Sequence, residues 1–556
     1  MAKPKSNRQF SLESAHLHDD AAGIADDHWS RLFFEHIFCT FDDGQFADMY
    51  EEGGRYPISP AFLAALTILQ YMFRVSDRQA VENTIMRRDW RIALGIRPDY
   101  DGFCATVLVR FRQRLEAHGR AYQLFASVLQ RAGELGMLGD RRRLRVDATH
   151  LLANVAYLSR AENIQEAIRI VVCDLYDSYP ELHQRPDFLR LHDAYGEEVW
   201  VGCGGSSSER KLSDLGRDGF ALLELCSERP AKGKEVLNQI LQENFICSEN
   251  DEPKPRGPQQ LPKDRILSPH EPDVRRGKKR NKSWLGDKVH LVETAEPGQT
   301  NLVVDVMVTD PRVEDSTVTQ ELAQRSRFIM PQAEMLIADG GYSSAANSRA
   351  VAALGLELIS PPRPNTSGKQ IPASDFEFDF KRRVARCPEG HESVYWKPSG
   401  RNIRIHFDAA TCRACPRWGE CTTNKRGRYL GVSRAYEQLV LDRQRAGQPR
   451  FAQLYCLRSP IEASISELVH CCGLRRSRYR SGPKRALHAI LAATALNVRR
   501  LLRCLASGNT PKEGLACIFL SLLQAALSRA YKPIGATQRR IRAHQRQLSQ
   551  IAFSHT

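Results

Sequence analysis

The stretch LIADGGYSS, at positions 336–344, runs from apolar residues into Asp339 and then into two glycines. The apolar run has the length and composition of a short buried strand, and the glycines end it sharply. The sequence therefore predicts a carboxylate held at the tip of a sheet strand, beside a tight turn.

The order of the neighbouring elements indicates which sheet this is. A strand candidate at 141–150 ends in Asp147, two more follow at 284–294 and 301–309, and an amphipathic helix precedes the strand of Asp339. A further short strand follows at 356–360. When residues 155–280, which are helical and then loop-like, are left out, this order resembles the start of a ribonuclease-H-like sheet. We therefore predict a mixed α/β fold in which the first and fourth strands are neighbours, so that Asp147 and Asp339 meet.

Two aspartates at adjacent strand ends can share divalent metal ions. Carboxylate oxygens are hard ligands that suit Mg²⁺ or Mn²⁺, and two such ions can assist phosphoryl transfer. A third acidic ligand is expected from a helix after the sheet, and Glu462 in YCLRSPIEASISELVH is the candidate. The alternative is a capping box, with Ser459 as N-cap and Glu462 three residues later, which would give Glu462 a purely structural role.

A helical region at 57–130 precedes the first of these strands. It carries several arginines, among them Arg87, Arg88, Arg91 and Arg112, and the whole chain has a net charge of +15. A compact basic helical unit suits the phosphate backbone of double-stranded DNA. The alternative is an ordinary solvated helix face with scattered surface charge.

Four cysteines lie between the strand of Asp339 and the helix of Glu462. They are Cys387, Cys412, Cys415 and Cys421, and the second and third form a CxxC pair. Four thiolates are the ligands of a structural Zn²⁺ site. Buried reduced thiols or a redox pair are the alternatives.

Three blocks, VDATHLLANV, LIADGGYSS and YCLRSPIEASISELVHCCGLRRSRYR, resemble the catalytic blocks of bacterial insertion-sequence DDE transposases. In the third block Tyr455, Arg458 and Glu462 match the family spacing of Tyr, Arg, Glu and Lys. Val469 occupies the family Lys position, which is a departure. Nearby basic residues that could replace the lysine are His470, Arg475 and Arg476.

The resemblance implies that Asp147, Asp339 and Glu462 bind two Mg²⁺ or Mn²⁺ ions, and that Tyr455 and Arg458 contact phosphates near the cut end. It implies a transposase that cleaves the terminal inverted repeats of its element and joins the freed ends to target DNA. A metal-dependent nuclease without strand transfer and a domesticated or inactive DNA-binding protein are the competing functions.

The expected organisation has four parts. Residues 1–56 lead in, 57–130 form the helical DNA-binding domain, 140–505 the catalytic domain, and 506–556 a basic helical tail. The catalytic domain contains the helical or loop insertion at 155–280 and a cysteine-bearing insertion at 362–450. We expect a cytoplasmic, nucleoid-associated protein without a membrane segment that acts as a homodimer on DNA.

Overall fold

The computed structural model describes residues 22–53, 57–197, 212–246, 252–279, 281–362 and 370–508. Within these ranges the fold is mixed α/β, with one six-stranded sheet, three smaller sheets, and α-helices that precede, separate and follow them along the chain. The apolar stretch at 515–527 and the basic tail lie outside the described residues. No helix in the described ranges has the length and apolar character needed to cross a membrane.

Among the described residues, six α-helices precede the central sheet: α1 (Trp29–His36), α2 (Pro60–Phe73), α3 (Asp77–Met86), α4 (Arg88–Leu94), α5 (Thr106–Ala117) and α6 (Ala121–Glu134). Local signals set their ends. Ser59 caps α2 by accepting the Phe62 N–H, and Pro60 occupies the first turn, where its missing N–H costs nothing. The expected capping box of Ser76 and Gln79 is present at the start of α3.

Helix α2 is buried on nearly its whole circumference. Thirteen of its fourteen residues are buried, so the helix must be covered on all sides. Much of that cover comes from α17 (Gly482–Ala506), the last described helix of the chain, which also packs on α6. The N-terminal helices and the central sheet consequently share one continuous hydrophobic core.

The central sheet contains β1 (Arg143–Leu152), β4 (Arg275–Lys279), β5 (Lys282–Thr294), β6 (Val303–Thr309), β7 (Met335–Ala338) and β8 (Glu357–Ile359). Strand β5 pairs with β1 along one edge, and with β4 and then β6 along the other. On the far side of β1 lie β7 and then β8, both parallel to it. The predicted adjacency of the first and fourth strands is confirmed.

Two details of this sheet differ from the sequence predictions. Strand β1 does not end at Asp147 but continues to Leu152, because β5 pairs with it through Gly286. The end of the 155–280 insertion, which was expected to be loop-like, contains β4, which forms a hairpin with the start of β5. Backbone hydrogen bonds to β5 hold both segments in the sheet, although neither segment has the apolar run that is typical of a buried strand.

The insertion after β1 forms a helical unit with its own core. It contains α7 (Arg160–Ser178), α8 (Pro186–Tyr195), α9 (Leu212–Leu225) and α10 (Lys234–Asn244), followed by the short pair β2 (Phe245–Ile246) and β3 (Lys254–Pro255). Glu271, at the end of this insertion, binds the buried guanidinium of Arg485 on α17. Arg485 also binds Asp287 of β5, so one buried arginine ties the insertion to the sheet.

Between β7 and β8 lies α12 (Ala345–Ala353), and α11 (Asp315–Ile329) connects β6 to β7. The cysteine-bearing insertion then contains β9 (Glu377–Asp379), β10 (Val384–Arg386), β11 (Tyr395–Ser399), β12 (Asn402–His406), α13 (Ala409–Ala414) and β13 (Tyr429–Ser433). Its aromatic and aliphatic core is separate from that of the central sheet. The chain returns to the central sheet through α14 (Tyr436–Ala446), α15 (Pro449–Tyr455) and α16 (Ile461–Cys471).

Candidate active site

Asp147 and Asp339 lie side by side on neighbouring strands. Val146 pairs with Ala338 in the parallel register of β1 and β7, so the next residue of each chain segment is an aspartate. Burial raises the pKa of Asp147, and the charge of Asp339 raises it further, while the Ala148 N–H and Arg458 oppose the shift. The two carboxylates are therefore close enough to repel each other, and a cation between them would relieve this repulsion.

A further carboxylate, that of Asp315, lies near the turn that follows β7. The Gly341 N–H donates to Asp339 Oδ1 at 2.8 Å. A Cβ on Gly341 would stand 2.9 Å from that oxygen and 3.2 Å from Oδ2 of Asp315, so a larger residue would force the Asp339 carboxylate to shift and would crowd that of Asp315. Asp315 begins α11 and is held by Lys288 at 2.8 Å.

Asp315 was missed by sequence reasoning. Its position at the first residue of the helix after the third strand looked like an ordinary helix start. The order of the strands could have indicated Asp315, because α11 begins at the edge of the sheet where β7 ends.

Glu462 lies in the first turn of α16, and its side chain does not cap that helix. The helix begins at Ile461 and has no side-chain cap, so the capping-box alternative for Ser459 and Glu462 is wrong. The Glu462 side chain is 70% exposed, whereas Ile461 and Leu468 of the same helix are buried. Glu462 is therefore available to an ion or a substrate.

Arg458 links the sheet to this helix. Its Nη1 donates to Asp147 Oδ2 at 2.7 Å, and its Nη2 approaches Glu462 Oε1 at 3.5 Å. The guanidinium thus supplies positive charge between two of the three predicted metal ligands. In the described ranges, no group of three or more His, Cys, Asp or Glu side chains could hold a metal ion as placed.

A buried ion network fixes the position of α16. Glu293 of β5 is fully buried and accepts from the Arg145 Nε at 2.7 Å and from the Ser464 hydroxyl at 2.6 Å. Arg500 of α17 binds the same carboxylate. Because Ser464 lies two residues after Glu462, the network holds the first turn of α16 against the sheet.

The other candidates from the third block lie in different surroundings. Tyr455 stacks on Phe451 with ring centroids 5.8 Å apart, and the Arg458 guanidinium lies over the Tyr455 ring. Arg475 donates to the His150 carbonyl at 2.7 Å, while the neighbouring Arg476 is exposed. Val469, at the family Lys position, packs against the main core.

The N-terminal arginines fall into two groups. Arg87 forms an ion pair with Asp89, Arg88 donates to the Ala22 carbonyl, and Arg91 donates to the Ile85 carbonyl, all near the surface of α4. Arg112 is different, and its assignment to DNA requires correction. Its side chain is only 5% exposed and binds Asp77 and Gln70, so it joins α5 to α2 and α3 inside the protein.

The four candidate zinc ligands line one cavity of about 180 Å³ in the cysteine-bearing insertion, together with His391. The backbone N–H of Arg428 approaches Cys412 Sγ at 3.4 Å. Burial raises the pKa of the Cys421 thiol and the other three cysteines raise it further, while Arg428 opposes the shift. The donor set suits a soft ion such as Zn²⁺, although the thiols are not drawn together around one point.

Two family models match the chain. One, described as a transposase domain (DUF772), matches residues 22–114, and the other, described as a transposase DDE domain, matches residues 386–502. No curated protein and no solved structure matches it. The first segment covers helices α1 to α4 and most of α5, and the second carries the cysteines, Arg458 and Glu462. The two matches support the assignment of the chain to the insertion-sequence DDE transposases.

Proposed function

We propose that this transposase cleaves DNA at the ends of its insertion sequence and joins them to target DNA, with Asp147, Asp339 and Glu462 as metal ligands. The observation that carries the proposal is the parallel pairing of β1 and β7, which sets Asp147 beside Asp339. The strand order, with β5 and β7 flanking β1 and β8 beyond β7, supports a ribonuclease-H-like core. Glu462 is connected to this pair through Arg458.

The chemistry of the donor set, which consists of carboxylate oxygens, suits hard divalent ions. When bound, Mg²⁺ or Mn²⁺ ions supply activation of a water or 3′-OH nucleophile and stabilise charge on the leaving oxygen. Asp147 and Asp339 provide carboxylate oxygens from a rigid sheet, and Glu462 provides a third carboxylate from α16. Asp315 lies near Asp339, where Lys288 holds it, and adds negative charge to the same region.

Arg458 would have two successive partners. Without DNA it pairs with Asp147 and so offsets the repulsion between the aspartates. If the carboxylates held metal ions, the planar guanidinium of Arg458 would be free to bind a phosphate, for which its fork of N–H donors is well suited. Tyr455, stacked on Phe451, lies beside it and can limit the directions in which it turns.

The experiment that tests this function uses the full chain and duplexes carrying the terminal repeats of the element. Cleavage that requires Mg²⁺ or Mn²⁺, and joining of a precut end to a second duplex, are the expected results. Cleavage without joining would favour a nuclease. Binding with neither activity would favour a domesticated DNA-binding protein, for which Val469 at the family Lys position is the specific observation.

DNA recognition is proposed for the N-terminal helices and for Arg475 and Arg476. We expect the affinity of the full chain for terminal-repeat DNA to fall steeply with salt, because phosphate contacts release counterions. Arg88→Ala combined with Arg91→Ala should reduce the slope of log affinity against log salt by about two. Fluorescence anisotropy at several salt concentrations measures this slope.

The matched control is Arg217→Ala, which removes an exposed arginine from the helical insertion. It should leave the slope unchanged. An unchanged slope in the double variant would exclude α4 from the DNA surface. The full chain is needed because the N-terminal helices share their core with the sheet and α17.

We also propose that two copies act together on the paired DNA ends.

We propose that Cys387, Cys412, Cys415 and Cys421 bind one structural Zn²⁺. Protein purified without chelators should contain about one equivalent of zinc by elemental analysis. The ion should be structural, since four thiolate ligands leave no open coordination position for a substrate or water. Cys412→Ser with Cys415→Ser should lose the zinc and lower the melting temperature. Cys104→Ser, at an exposed cysteine outside this region, is the control.

Less than about a tenth of an equivalent, with all four thiols reactive in the native protein, would contradict this proposal.

A further inference from the structure

The three-stranded sheet of the cysteine-bearing insertion has two unlike faces. Strands β11, β12 and β13 are antiparallel, with β12 in the centre. Residues that alternate along each strand point to opposite faces. One face places Ile405, Leu430 and Val432 in the core of the insertion. The other face would ordinarily carry small polar side chains, because it is open to solvent.

That open face instead carries a row of aromatic rings across all three strands. Tyr395 is paired with His406, and His406 with Tyr429. The ring centroids are 5.2 Å apart in the first pair and 4.9 Å in the second. Tyr395 is 39% exposed and Tyr429 is 42% exposed, so the row presents aromatic surface to solvent.

A second row on the same face is basic. Two residues along from the aromatic row, Lys397 is paired with Arg404, and Gly431 completes the row without a side chain. The Lys397 Nζ lies 5.6 Å from the centre of the Tyr395 ring. Among the described residues neither Lys397 nor Arg404 forms an ion pair with an acidic side chain. The face thus combines exposed rings with uncompensated positive charge.

This combination identifies the chemistry of the occupant. Aromatic rings on a sheet bind the flat faces of nucleobases, and neighbouring cations bind the phosphates that connect them. In duplex DNA the base faces are covered by stacking, so the fitting ligand is an unpaired strand. An acidic peptide would satisfy the two cations but would leave the aromatic row without a stacking partner.

We propose that Tyr395, His406 and Tyr429, with Lys397 and Arg404, form a stacking platform for unpaired nucleotides of DNA. The inference deepens the proposed function and rests on it in taking DNA as the ligand. Its place in the chain suits such a role, since the platform lies between the strand of Asp339 and the helix of Glu462. Its position is fixed relative to the sheet by α14, whose Asp442 accepts from Ser348 of α12 at 2.8 Å.

The test measures binding of two labelled probes by the full chain, without added divalent ions so that no strand is cut. One probe is a 20-nucleotide oligothymidine and the other is a blunt terminal-repeat duplex. Tyr395→Ala combined with Tyr429→Ala should weaken binding of the single strand by about tenfold or more, because each stacked base contributes substantially to affinity. Duplex affinity should change by less than about twofold, since stacking covers all base faces of the duplex except the outer faces of its two terminal pairs.

Matched variants separate stacking from general damage. Tyr395→Phe with Tyr429→Phe keeps the rings and should retain single-strand affinity. Tyr157→Ala removes an exposed tyrosine from outside this insertion and should have no effect. If the double alanine variant melts at a lower temperature, Tyr395→Ala alone, on the edge strand β11, provides the comparison.

Equal losses for both probes, or single-strand affinity unchanged in the alanine variant, would overturn the platform. Loss in the phenylalanine variant as large as in the alanine variant would also overturn it. Failure of the unmodified protein to bind the terminal-repeat duplex would instead count against the proposed function. The two failures are therefore distinguishable in one set of titrations.

Discussion

Asp147→Ala and Asp339→Ala are each expected to lower the rate of strand cleavage by more than about a hundredfold. Mutation of residues that merely support a metal ligand commonly costs 10–100-fold, and loss of a ligand itself should cost more. Burial and the charge of Asp339 raise the pKa of Asp147, so a bound cation would stabilise the ionised form of Asp147. Cleavage of a terminal-repeat duplex in Mg²⁺, followed by gel electrophoresis, measures the effect, and DNA affinity should remain.

Glu462→Gln should cause a loss of the same order. Because Glu462 does not cap its helix, glutamine preserves the fold and removes only a good metal ligand. The matched control is Glu321→Gln, an exposed carboxylate on α11, which should cleave at the normal rate. Normal cleavage by Glu462→Gln would remove this residue from the proposed metal site.

Glu293→Ala is expected to destabilise the protein by roughly 3–5 kcal/mol, the usual cost of removing one partner of a buried ion pair. Glu293 binds Arg145, Arg500 and Ser464, so its loss leaves two guanidinium groups without their shared carboxylate. Chemical denaturation followed by circular dichroism gives the free energy of unfolding. Cleavage should also fall at temperatures where the variant remains folded, because the first turn of α16 is no longer fixed.

Two milder variants provide comparisons for the loss of stability in Glu293→Ala. Ser464→Ala removes one hydrogen bond to the carboxylate and should cost about 1 kcal/mol. Glu293→Gln keeps the shape and some of the hydrogen bonds, so its cost should lie between those of the other two. A Glu293→Ala protein as stable as the unmodified one would show that the network does not hold α16.

The sequence was most informative where apolar runs coincide with strands. The runs before Asp339 and in β5 and β6 are buried in the sheet, and their order was enough to predict that β1 and β7 are neighbours. The end of β1 was not predictable in the same way. Beyond Asp147, Thr149 and His150 look like loop residues, but β5 pairs with them on one side and Arg475 contacts them on the other.

The errors at charged residues have a common physical cause. The Arg112 guanidinium is buried because Asp77 and Gln70, from other helices, meet it inside the protein. Lys288 and Asp315 likewise pair across 27 positions of sequence. Whether a charged side chain is exposed depends on distant partners, and spacing within one segment does not contain that information. The roles of the site residues remain predictions for the assays above.

The burial of α2 by α17 has a consequence for how the chain is made. Helix α2 emerges from the ribosome about 400 residues before its main covering helix, which at 5–20 residues per second is a delay of roughly 20–80 s. Throughout that time its apolar surface needs a chaperone or transient cover. A prematurely terminated chain lacking residues 482–506 would never acquire that cover. Truncated copies of such a gene should therefore yield aggregated or degraded protein rather than a stable DNA-binding competitor of the full-length enzyme.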